Sequence, residues 1–184
     1  LPTDRPRPET LSFSGDAYTF LIPRELTESL RALSRQESVT LQMTLAAAFR
    51  VLLFRYSHQM DFCLGIPVAN RLRPELEGMI GFFVNTLVLR TDLSGNPRFT
   101  ELMARERQVS IAAQAHQDLP FEKLVEVLHP ERHVNYNPLF QVMFTMLADT
   151  REKLEVPGMR ISEIPIENRS AKFDLTLQIL EREE

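Results

Sequence analysis

Residues 129–147, HPERHVNYNPLFQVMFTML, set the frame for the rest of the chain. They leave an amphipathic helix, cross a polar loop and turn at Asn137-Pro138, where proline removes a donor and forces the residue before it into extended backbone. From Leu139 the pattern predicts a strand with two unlike faces. Phe140, Val142, Phe144 and Met146 point one way; Leu139, Gln141, Met143, Thr145 and Leu147 point the other. A wholly apolar and aromatic side belongs in a core. The opposite side mixes Gln and Thr with Met and Leu, which suits the wall of a partly wet cavity and equally suits an edge strand with one indifferent face.

Outward from this stretch, strands and helices alternate. Phe121, Leu124, Val125 and Leu128 recur at i, i+3, i+4, i+7, with Asp118 offering a cap oxygen ahead of Pro120. A long helix runs from Phe99 to near His116, after a turn at Gly95-Asn96-Pro97. Phe82–Asp92 is the strongest strand signal, with Asn85 among Phe83, Leu87 and Leu89 on one face. Met60–Val68 is a shorter strand, whose end Pro67 places at an edge. The helix capped by Ser38 or Thr40 is apolar nearly all round to Tyr56, as a buried central helix is. Leu26, Leu30 and Leu33 mark a helix after Pro23, and Asp16–Ile22 alternates as a strand. After the opening stretch come Arg160–Ile166 and Lys172–Leu180; the latter sets Phe173, Leu175, Leu177 and Ile179 against Lys172, Asp174, Thr176 and Gln178. This order argues an α/β (α+β) sandwich, a mixed sheet with helices packed on it.

Bulk properties narrow the function. A chain of 184 residues suits one domain with a real core, and 43% apolar with 25% charged residues reads as globular. A net charge of −4 gives no basic footprint for nucleic acid. No apolar run approaches the roughly 20 residues that span a bilayer. Cys63 is the only cysteine, which excludes an internal disulfide framework and fits a reducing, cytoplasmic compartment. The opening LPTDRPRP contains no signal peptide and no initiating methionine, so the chain is expected to be a piece of a longer protein.

Three ordered blocks carry a specific resemblance. Asn137-Pro138-Leu139-Phe140-Gln141, Ile80-Gly81-Phe82-Phe83-Val84-Asn85-Thr86-Leu87-Val88-Leu89-Arg90 and His116-Gln117-Asp118-Leu119-Pro120-Phe121-Glu122 resemble the NPLFQ, IGxFVNTLxLR and HQDxPFE blocks of nonribosomal peptide synthetase condensation domains. The resemblance implies one lobe of a chloramphenicol-acetyltransferase-like fold, with residues 1–12 as inter-lobe linker and 13–184 as the C-terminal lobe. It implies amide bond formation between acyl or peptidyl and aminoacyl thioesters, delivered on the phosphopantetheine arms of upstream and downstream carrier domains. The implied partners are those carriers and an N-terminal lobe carrying the HHxxxDG motif. That motif is not in this sequence, where no two histidines are adjacent, so this chain alone is expected to be inactive. Alternatives within reach are a non-catalytic carrier- or lobe-binding module and a lobe of an epimerisation or heterocyclisation domain.

The residues then divide by role. Asn85, Asn137, Gln141, Met143 and Thr145 are candidates to line the substrate tunnel. For Asn85 a plain hydrogen bond to a neighbouring loop competes with that role. Arg90 and Arg132 read as ion-pair residues, and His116 and Asp118 as groups that stabilise a helix end. His129 and His133 have the spacing of a helical metal pair, but Pro130 lies between them and no Glu follows the first. Ahead of Asn137 the family usually shows Arg-Asp-x-Ser-Arg-Asn-Pro. Here His133, Asn135 and Tyr136 replace Asp, Ser and Arg, which questions any ion pair made by this loop. Apolar surface left by an absent lobe is expected to promote self-association.

Overall fold

The computed structural model describes residues 1–131, 133–148, 159 and 169–181. Its helices are α1 (Arg24–Gln36), α2 (Leu41–Ser57), α3 (Pro74–Glu77), α4 (Phe99–Gln114) and α5 (Phe121–Leu128). Its strands are β1 (Asp61–Val68), β2 (Asn85–Asp92), β3 (Val142–Ala148) and β4 (Leu175–Glu181). They form one mixed sheet in the order β2-β1-β3-β4. The β1–β2 pair is antiparallel, while β3 runs parallel to both β1 and β4.

Helix starts follow local chemistry. Thr40 Oγ1 accepts the Met43 amide at 3.2 Å and caps α2, and Glu101 reaches back to the Arg98 amide at 2.8 Å ahead of α4. One sheet face is then covered by α2 and α4. Ala46, Phe49 and Leu53 of α2 pack with Leu64, Ile66, Leu87, Leu89, Val142 and Phe144, and the rings of Phe49 and Phe144 lie 6.1 Å apart. Leu177 and Ile179 extend this layer to β4. A second cluster of Ala47, Leu93, Leu102 and Met103 seals α2 against α4, with Leu33 of α1 at its side.

Several expectations are corrected. Asp16–Ile22 is not a strand: among the described residues the pairing nearby is an isolated bridge from Ser14 to Ser170, and Tyr18 and Leu21 are exposed. Alternation supplies a pattern but not a partner, and every ladder bond of a strand is non-local. The Pro67 end of β1 has no β3 partner among the described residues, although the strand as a whole is not at an edge. β1 lies inside the sheet, and Pro67 pairs with Thr86 two residues past the β1–β3 register point at Gly65 and Met143. β2 begins at Asn85 rather than Phe82, leaving Ile80 and Phe82 on an exposed loop. α2 is not buried all round: Leu52 is 51% exposed, while its buried stripe includes Thr44 and Arg50. Arg160–Ile166 lies outside the described residues.

Candidate functional site

The strand expected from Leu139 starts only at Val142, because the three residues before it fold into a turn. The Phe140 amide donates to the Pro138 carbonyl at 2.8 Å, closing a γ-turn around Leu139, whose φ is 65°. A positive φ at a residue with a branched side chain is uncommon and held by its surroundings. Those surroundings are visible. Gln141 Nε2 donates to the Asn137 carbonyl at 2.7 Å, and the Asn137 amide donates back to Gln141 Oε1 at 3.1 Å. The Gln141 side chain thus acts as a short peptide strand bracketing Asn137. Asn137 Nδ2 donates to the Lys172 carbonyl at 2.9 Å, and the Asp174 amide donates to the Gln141 carbonyl at 3.0 Å. Asn137 Oδ1 has no partner among the described residues and remains an acceptor beside a cleft of about 410 Å³ lined by Phe13, Ser170, Lys172 and Phe173.

The γ-turn also rotates Phe140. Expected beside Val142 and Phe144, its ring instead fills the space above Gly65, where an added Cβ would meet Cε2 at 2.2 Å. Gly65 pairs with Met143, so this is the face opposite Phe144. The ring stacks on Phe173 at 5.3 Å and meets the Phe121 edge at 5.7 Å. Glycine inside a strand marks a close approach of another group. That rule could have singled out Gly65 in the sequence, but nothing local names Phe140 as the visitor.

Asn85 is nine-tenths buried, and its amide holds the next loop. Nδ2 donates to the carbonyls of Gln117 at 2.9 Å and Leu119 at 2.7 Å, and Oδ1 accepts the Phe121 amide at 3.1 Å. It therefore caps α5 from a distant strand, replacing the cap expected from Asp118; no side chain at the N-cap position bonds this helix. His116 contributes backbone only: its amide donates to Ala113 and its carbonyl accepts from Leu119. Met143 and Thr145 are half-buried on the face of Gly65, and Leu147 beyond them is exposed. Arg132 lies outside the described residues.

Arg90 makes a two-pronged surface ion pair with Asp61, at 2.8 and 2.5 Å. This hydrogen bond holds the Asp61 carboxyl below its ordinary value and Arg90 above its own. Both border a cleft of about 320 Å³ that also contains Cys63, Phe62, Leu139 and Gln141. Burial pushes the Cys63 thiol up, against the pull of Arg50 and Arg90. His129 ends α5 in left-handed backbone, and His133 packs its ring edge on Tyr136 at 5.7 Å, so the two do not share a helix. Arg7 Nη1 donates to Asp174 Oδ1 at 2.8 Å, and its guanidinium carbon stands 4.3 Å from the Tyr136 ring centroid.

One buried pair escaped sequence reasoning. Arg50 Nε donates to Glu106 Oε2 at 2.7 Å, with both side chains fully buried. Arg50 also donates to the Leu89 carbonyl at 2.9 Å, and Thr91 donates to Glu106 at 3.1 Å. Burial pulls the Arg50 guanidinium down from its ordinary value, with Glu106 opposing. On a helix read as apolar, Arg50 gives no sign of a partner 56 residues away.

A mixed four-stranded sheet with helices packed on it is shared with solved chains more than twice as long. An X-domain from teicoplanin biosynthesis superposes with a TM-score of 0.91 at 29% identity, over 100% of this chain and 41% of that one. The X-domain solved in complex with OxyB gives 0.84 at 29% identity, over 100% and 40%. The fold class is thus that of condensation-type domains. The chain belongs to the condensation domain family, whose model matches residues 1–184. It is 51% identical to a linear gramicidin synthase polypeptide of Brevibacillus parabrevis, over 98% of this chain and 4% of that protein. The chain spans between 2% and 4% of the length of the first three curated relatives it matches.

Proposed function

We propose that this chain is the C-terminal lobe of a domain that forms peptide bonds between carrier-tethered thioesters in nonribosomal peptide synthesis. Residues 1–12 serve as the inter-lobe linker and 13–184 as the lobe. The family membership supports the reaction class; the observation that carries the division of labour is the Asn137 bracket. Gln141 and Lys172 fix the backbone and amide of Asn137 while leaving Oδ1 as an acceptor beside a cleft. Such a group can accept a hydrogen bond from an acceptor amine or from an amide of a phosphopantetheine arm, and it cannot remove a proton at neutral pH. The half-buried Met143 and Thr145 offer the apolar and polar mix that a thin amide-bearing arm fits. Proton handling is assigned to the HHxxxDG lobe. Exposed Ile80 and Phe82 support a face that another lobe or a second copy covers. The compartment assigned is the reducing cytoplasm, with Cys63 as thiol.

The test is reconstitution. This chain mixed with donor- and acceptor-loaded carriers should yield no amide, and adding the HHxxxDG lobe should yield it. Turnover by the chain alone would falsify this assignment. A second reading, a binding module without turnover, draws support from the likeness to an X-domain solved in complex with OxyB. Tight carrier or partner binding with no turnover in the two-lobed protein selects it.

A further inference from the structure

Three segments far apart in sequence meet at one guanidinium. Arg7 Nη1 donates to Asp174 Oδ1 at 2.8 Å and to the Asn135 carbonyl at 3.3 Å, while Nη2 pairs with Asp174 Oδ2. Its guanidinium carbon stands over the Tyr136 ring, 4.3 Å from the centroid, and that ring meets His133 in a T-shaped contact at 5.7 Å. Asn135 Nδ2 returns a hydrogen bond to the Pro8 carbonyl at 3.1 Å. A forked ion pair combined with ring stacking is what an arginine offers and a lysine does not. The Arg7 and Asp174 side chains are each 19% exposed, so solvent screens the pair less than an ordinary surface contact.

The consequence runs through Asp174. Its carboxylate holds Arg7, and its backbone amide donates to the Gln141 carbonyl, one residue's breadth from the side chain that brackets Asn137. The 137–141 end of the loop is held by Lys172, Asp174 and the Phe140 packing. At 134–136, by contrast, Val134 is 76% exposed, and among the described residues the polar contacts of Asn135 and Tyr136 go to Arg7 and Pro8. We propose that Arg7 is a positioning residue: it straps the 1–12 segment to the 133–141 loop and fixes where Asn137 is held. Tyr136 is its seat. An arginine at 136 would set two guanidinium groups against each other, whereas the tyrosine offers a ring face. The inference rests on the proposed role of Asn137, and the test separates the two.

Amide hydrogen exchange is measured in the complete condensation domain that carries this chain, alongside the steady-state rate with acceptor-loaded carrier. Arg7→Ala should speed exchange across 133–141 and 172–174 about tenfold, with β1 and β2 unchanged. Tyr136→Arg should reproduce it, Arg7→Lys should fall between, and Tyr136→Phe should match the parent. KM for the acceptor carrier should rise with the same ranking while kcat holds. Unchanged exchange in Arg7→Ala and Tyr136→Arg overturns the strap, and so does an increase spread evenly over β1 and β2. If Arg7→Ala does not fold, Arg7→Lys and Tyr136→Arg decide by the same criterion. Faster loop exchange with unaltered KM leaves the strap standing and removes Asn137 from the acceptor site.

Discussion

The sheet face under α2 and α4 is dry, closed by Phe49, Leu53, Leu64, Leu89 and Phe144, and its central polar feature is a sealed ion pair between Arg50 and Glu106. The opposite face carries the Phe140 ring over Gly65, and beside it the Gln141 side chain holds the backbone of Asn137. One face is shaped by apolar area, which is tolerant of detail; the other by hydrogen bonds and one tight contact, which are not. Of the motif blocks, NPLFQ ends on the second face, while Asn85 of the strand block shares the first face with Leu87 and Leu89. A Gln on the second face stands in for a strand, whereas Asn85, on the first, caps a helix it does not belong to.

The largest expected effect breaks the dry face. Arg50→Ala strands a buried carboxylate and should cost about 3–5 kcal/mol in chemical denaturation. Replacing both partners, Arg50→Met with Glu106→Leu, should recover most of it; a double variant as unstable as the single would show that the pair itself carries the stability. Next is Gly65→Ala, whose methyl meets the Phe140 ring. Overpacking of this kind costs about 1–3 kcal/mol, and Phe140→Leu in the same chain should restore part of it. No loss in Gly65→Ala would mean the ring does not sit where the Cβ would stand.

Asn85→Ala leaves two carbonyls and the Phe121 amide without their partner and should cost about 2 kcal/mol, with exchange rising first in 116–121. Asn85→Asp keeps only the acceptor and should be nearly as damaging. Gln141→Ala should cost about 1 kcal/mol while lowering activity of the complete domain more than stability implies. The smallest effect is Arg90→Ala, for which the denaturation midpoint at neutral pH should fall only slightly, the pair being exposed to solvent. Its signature is acid-side. The Asp61 carboxyl is depressed in the folded chain, so its stabilisation is present above the ordinary carboxylate range and fades as pH falls through the folded value. Melting curves from about pH 5 to about pH 3 should therefore fall less steeply in Arg90→Ala than in the parent.

Much of this architecture is legible in the residues themselves. Helix periodicity, the Thr40 cap and the alternation of Leu87 with Leu89 are local properties, because side-chain period and capping chemistry depend on neighbours a few positions away. The family blocks are equally plain as strings. Tertiary structure alone decided what those blocks touch. Asn85 reads the same whether it faces a tunnel or staples the 117–121 loop, and Arg50 reads as a polar blemish until Glu106 arrives from α4. Phe140 is apolar on either face, and a single γ-turn at Leu139 moved it from one to the other. Local pattern fixes period and polarity; which partner fills a valence or a void is settled by segments distant in the chain, and no window of sequence contains both.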